Sequence, residues 1–301
     1  MKIISFLIAF TFFTHAAYSA SCCGGSSALP TLITADDKAI FNIGVSHSKV
    51  MADVNNQVVF RTDQNNETKQ TYSFSGAYQF SEYAQIGGGF NIQSKQREVV
   101  TGQEESSSGL GDLFLNSAYE FMPEFYYSKY KPRGLVFLEL TLPTARSIHD
   151  HQKRLNTDAR GSGFYTASPG LLFLKAYRTY DYLVAPKVTF YNPRTFETSS
   201  GEEVKISPKP TYQLLTGLGY NLAKSPTRFG ASLAYTYKGG KSGEYSANNE
   251  YYFDLSLSAS YMFASKISTS LTYSDQTIFG PVKNTTLSRT IAFSLQKKFP
   301  L

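Results

Sequence analysis

The chain has 301 residues and a formal net charge of +6, with only 17% charged residues, 22 Tyr, 23 Phe and no Trp. Its basic residues are scattered rather than gathered on one stretch, which excludes a nucleic-acid-binding module, since that needs a concentrated basic face. Its two cysteines, Cys22 and Cys23, are adjacent; they cannot staple distant segments, and the spacing excludes a C-x-x-C metal or redox site.

Residues 1–20 read as a signal peptide: Lys2, then the apolar run from Ile3 to Phe13, then a small-residue zone ending Ala16-Ala17-Tyr18-Ser19-Ala20. The apolar run is shorter than the roughly 20 residues a spanning helix needs, and no later segment approaches that length. Residues 21–38 are expected to form a periplasmic N-terminal tail or a plug. Cys22 follows the cleavage zone and is a candidate for lipidation, although the Leu expected three places upstream is missing; the alternative is an unmodified tail.

From residue 39 to 301 one arrangement recurs six times: an alternating strand, a short turn, another strand, then a long polar loop. Short turns on one side and long loops on the other are the signature of an outer-membrane β-barrel. The predicted strands are 39–47, 70–80, 84–93, 111–121, 135–143, 164–176, 182–191, 211–222, 228–238, 251–263, 267–277 and 285–299. In the third, Ala84, Ile86, Gly88, Phe90 and Ile92 alternate with Gln85, Gly87, Gly89, Asn91 and Gln93, as one lipid face and one watery face require. The stretches 49–69 and 103–108 read as polar loops. The predicted fold is therefore all-β, a twelve-stranded antiparallel transmembrane barrel in the bacterial outer membrane. A soluble antiparallel sandwich is the competing pattern, but six long loops on one side and a signal peptide disfavour it.

Tyr and Phe must supply both aromatic girdles: Phe80, Tyr83, Phe121, Tyr182, Tyr220 and Phe263 on the periplasmic side, Tyr165, Phe190, Tyr237 and Tyr251 on the outer side. Many predicted inward positions are small, among them Gly87, Gly89, Gly217, Gly219, Gly230, Ser256, Ser270 and Ser294. They leave a passage open unless a loop or the segment before the first strand folds in. The lumen and pore candidates are Lys95, Asp112, Glu139, Lys187, Arg228 and Asp254, with Lys238 beside them; charges of both signs are expected to pair with one another. Pro169 and Pro186 fall inside strands, where the ladder wants an N–H. They predict either a bulge at each or a weakened strand pair that opens sideways to lipid.

A barrel hydrolase would need Ser, His and a carboxylate together at the outer lipid face. His47 lies between Ser46 and Ser48, whose side chains fall on the opposite face of the strand. His149-Asp150-His151 with Asp158 could bind a metal, though solvated loop histidines are commoner. No phosphate loop, zinc motif or dinucleotide fingerprint is present, so no cofactor and no metal are expected.

Ser108-Gly109-Leu110-Gly111-Asp112-Leu113 and Leu140-Thr141-Leu142-Pro143-Thr144 resemble the outer-membrane channel family linked to meta-pathway degradation of phenol and similar aromatics. Cys22-Cys23-Gly24-Gly25, Tyr273-Ser274-Asp275-Gln276-Thr277 and Asn284-Thr285-Thr286-Leu287 look like an uncharacterised transporter-like branch of it. The family commonly has Gly after Leu-Pro-Thr, where this chain has Ala145. The resemblance implies a barrel for uptake of small, often hydrophobic molecules, with no binding residues to carry over. The function expected is thus a non-enzymatic, monomeric channel whose partners are outer-membrane lipid and a small-molecule solute. A phospholipase-like barrel and a non-transporting surface barrel are the alternatives.

Overall fold

A computed structural model describes residues 29–55, 57–62, 65–124, 128, 130–197, 203–242 and 248–300. The signal peptide, Cys22 and Cys23 lie outside them. Twelve long strands, numbered in chain order, build one antiparallel sheet: β1 (Asp37–Val54), β2 (Asn65–Gln79), β3 (Ala84–Val99), β4 (Leu113–Met122), β5 (Arg133–Leu142) and β6 (Thr166–Tyr177) form the first half. The second half is β7 (Tyr180–Tyr191), β8 (Thr211–Asn221), β9 (Thr227–Lys238), β10 (Glu250–Met262), β11 (Ile267–Asp275) and β12 (Thr285–Pro300). Each strand pairs with its sequence neighbours, and β12 pairs with β1 from Asp37–Pro300 to Val54–Thr285, so the sheet closes. Closure removes the exposed edges that a bilayer cannot satisfy with water.

The exterior is apolar because alternate residues of every strand face lipid. Phe41, Ile43 and Val45 on β1 adjoin Phe74 and Tyr72 on β2 and Leu295 and Phe293 on β12, all outward. In water this continuous patch would be an aggregation surface; in a bilayer it is the contact with lipid. Phe80, Phe121, Tyr182, Tyr220 and Phe263 mark the periplasmic girdle, and Tyr165 and Phe190 the outer one, all of them exposed. A closed barrel with such a belt resides in the bacterial outer membrane.

The strands reach further than the alternation predicts. β1 has 18 residues, β2 15, and β3 and β12 16 each, against the roughly 9–11 needed to cross the bilayer. Part of the expected 49–69 loop is therefore strand. The expected 103–108 loop is also a strand, Glu104–Leu110, paired with β3. Above the membrane both faces are wet, so the ladder continues without any apolar period to betray it. Two more short strands, Arg194–Glu197 and Glu203–Pro208, pair with each other outside the barrel wall.

Candidate functional site

Residues 29–36, just ahead of β1, run inside the barrel. The Gln85 side chain on β3 holds Ile33 from both sides: its Oε1 accepts from the Ile33 N–H (2.6 Å) and its Nε2 donates to the Ile33 carbonyl (3.0 Å). Asn116 Nδ2 on β4 donates to the Thr31 carbonyl (3.0 Å), and Thr31 Oγ1 donates to Ser75 Oγ (2.8 Å). Arg133 Nη1 donates to the Thr34 carbonyl (2.9 Å). A non-strand segment buried in a lumen needs such partners for its peptide groups. Leu32 packs against inward Leu135, Phe137, Leu172, Leu183 and Leu215. Leu135, Phe137 and Leu172 are no more than 1% exposed. The wall from β5 to β8 therefore carries a cluster of large apolar side chains, while small inward residues prevail on β10 to β12, as at Ser256, Ser270 and Ser294.

The inward charges pair. Arg228 on β9 forms a two-pronged bond with Asp181 on β7, Nε to Oδ2 at 2.9 Å and Nη2 to Oδ1 at 2.6 Å. Gly219 lies between them on β8; a Cβ there would collide with both side chains, so only glycine lets the pair meet. Lys187 lies 3.7 Å from Glu139, Lys95 lies 3.0 Å from Glu67, and Lys238 lies 3.0 Å from Glu250. Asp254 accepts from Gln276 Nε2 (3.4 Å). Asp112 sits at the root of the long outer loop instead, accepting from the Ala145 N–H (3.2 Å) and the Ser162 N–H (2.7 Å) and so pinning both ends of that loop. Glu120, inward on its strand as the alternation predicts, accepts two bonds of 2.6 Å from Arg133; Asp181 is not marked by the sequence pattern. Its only signal is inward parity at a strand end.

Pro169 and Pro186 both face outward on adjacent strands, β6 and β7. Neither carries a bulge. The register is constant, with Ala167 opposite Phe190, Gly170 opposite Lys187 and Phe173 opposite Val184, but the positions between these form no ladder pairs. On their other sides the pairing is unbroken, Pro169 opposite Leu138 and Pro186 opposite Leu214. Each proline thus removes its N–H from the same seam. Two missing bonds weaken it by about 1–3 kcal/mol at the usual net value, and by more where lipid replaces water as the only other partner.

The outer loop over the lumen closes around an aromatic cluster. His149 lies 5.0 Å from the Phe196 ring and 6.0 Å from that of Phe164. Burial lowers its imidazole to about 4, and Lys241, whose Nζ is 3.3 Å from Nε2, pushes the same way; Asp150 opposes and His151 adds. Asp158 is buried, which raises its carboxyl, but bonds from the Gln152 and Lys153 N–H groups and from Arg146 more than offset this and hold it low. These residues form no metal-ligand group among the described residues. His47 faces outward opposite Ile291 and Gln70, away from the inward Ser46 and Ser48.

The histidine makes this loop pH-sensitive. Unfolded, His149 takes up a proton near 6.5; packed, only near 4. The unfolded loop binds more protons between those values, so packing is fully favoured above pH 6.5 and weakens as pH falls toward 4. Amide exchange over residues 147–163 is expected to accelerate across that window, and His149→Phe to abolish the dependence. Equal protection at both ends of the window in the wild type would contradict it.

No protein-family model matches the chain, and no curated protein matches its sequence. Solved structures match its fold. Against the COG4313 outer membrane channel from Pseudomonas putida F1 the TM-score is 0.71 at 14% identity, covering 92% of this chain and 98% of that one. The β domain of the Bordetella autotransporter BrkA gives 0.55 at 13% identity over 87% and 100%, respectively. The transport unit of the autotransporter AIDA-I from Escherichia coli gives 0.53 at 12% identity over 91% and 93%. What the chain shares with them at these identities is the closed outer-membrane barrel.

Proposed function

We propose that this barrel is a monomeric, passive outer-membrane channel for small molecules, and that apolar or aromatic molecules are its preferred cargo. One observation carries the reading: the apolar part of the lumen, at Leu172 and Leu183, backs directly onto the β6–β7 seam whose ladder is broken around Pro169 and Pro186. A hydrophobic solute dissolved in the membrane gains little by crossing a water-filled bore. A lateral gap gives it a route between lipid and apolar lumen without full hydration. Residues 29–36 act as a plug that bars the free flow of water and inorganic ions, while the seam and the leucine-lined wall serve cargo with an apolar body. Likeness in fold to a structure described as an outer membrane channel agrees with this reading.

The test restores the missing donors. In Pro169→Val/Pro186→Val the seam regains two N–H groups, so uptake of a neutral aromatic such as ethylbenzene into proteoliposomes should fall severalfold. Ion conductance in planar bilayers should stay the same. Undiminished uptake in a folded double variant would remove the lateral route.

A further inference from the structure

Lys69 and Lys95 are direct cross-strand partners on the lumen face, flanked by Ser48 on β1 and by Ser107 on the short strand Glu104–Leu110. Residues directly opposite in a sheet hold their Cβ atoms about 5 Å apart, and like charges so placed repel. The neighbourhood does little to relieve this. Glu67 is committed to Lys95 at 3.0 Å and Arg97 at 3.7 Å. Glu105 accepts from the Leu155 N–H and from Thr157 Oγ1. A further cation adjoins the row: Arg160 Nη1 donates to Ser107 Oγ (2.9 Å), its guanidinium lying where a side chain at Gly109 would otherwise stand. Among the described residues no carboxylate lies within ion-pairing distance of Lys69. Ser48 Oγ accepts from Thr290 Oγ1 (2.9 Å), which leaves its own hydrogen free to donate.

We infer that Lys69, Lys95 and Ser48 form a docking station for the carboxylate of a small organic acid on its way through the lumen. Glu67 is shared between Lys95 and Arg97, so the row keeps an excess of positive charge with Lys69 at its centre. It calls for an anion, and a planar carboxylate can take one ammonium on each oxygen. The inference rests on the channel reading and narrows its cargo to aromatic or aliphatic acids: an anionic end for this station and an apolar body for the leucine-lined wall.

Isothermal titration of the purified full-length chain in detergent with sodium benzoate, benzyl alcohol and inorganic phosphate tests it. Wild type should bind benzoate better than either other probe. Lys69→Gln should weaken benzoate about tenfold, the usual loss with a bond to a charged group, and leave benzyl alcohol unchanged. Lys69→Gln relieves a like-charge contact, so the variant should fold at least as stably as wild type, as heat-modified gel mobility will show. Benzoate binding that is absent, unaltered in Lys69→Gln, or matched by benzyl alcohol or phosphate would overturn the assignment. Ethylbenzene uptake is read separately, so loss of the channel reading is told apart from loss of this station.

Discussion

A chain lacking residues 29–36 is expected to conduct ions severalfold better in planar bilayers than the wild type, while still folding as a barrel. The segment is held by burial of Leu32 and Ile33, each 3% exposed and worth about 1.5–3 kcal/mol, and by hydrogen bonds of roughly 1 kcal/mol each. That is enough to keep it seated, but it is added to a sheet that closes on itself without it. Once it leaves, Gln85, Asn116 and Ser75 can turn to water, so stability should drop by only a few kcal/mol. Leu32→Asp/Ile33→Asp should reproduce the rise at unchanged chain length, because burying one carboxylate against Leu135 and Phe137 and another against Ile40 and Ala77 is prohibitive. Conductance equal to wild type in both variants would show that the barrier lies elsewhere.

Arg228→Leu should be the most destabilising single substitution, by about 3–5 kcal/mol, because it strands a buried carboxylate. Asp181 and Arg228 expose only 4% and 6% of their side chains. After the change Asp181 keeps the bond from Asn221 Nδ2 at 2.9 Å, a neutral donor that cannot balance a full charge. The double variant Asp181→Leu/Arg228→Leu should recover most of the loss, since a neutral pair of similar bulk carries no desolvation penalty. Urea unfolding in lipid vesicles measures both. A single variant within about 1 kcal/mol of wild type would mean that water reaches the pair and screens it.

The strand positions were legible because lipid and water on opposite faces enforce a two-residue period. The β10 run from Phe253 to Tyr261 shows this, its apolar residues alternating with Asp254, Ser256, Ser258 and Ser260. Legibility failed where that contrast is absent. In the upper parts of β1 and β2 both faces meet water, and strand passes for loop. In β5, Leu135-Val136-Phe137-Leu138 is apolar on both faces, so outward Val136 and Leu138 stood out while inward Leu135 and Phe137 did not. Their burial depends on Leu32, about a hundred residues earlier in the chain. Asp181 and Arg228 likewise lie on strands that touch only through the gap at Gly219.

The sequence by itself determined the number of strands, the sidedness of the loops and the apolar exterior, because each follows from a local period matched to the membrane. What occupies the bore, which charges neutralise one another and which seam is weak were decided only by the tertiary structure. Closing the sheet brings β1 against β12 and the N-terminal segment against the inner faces of several strands. No local pattern encodes which side chains then meet.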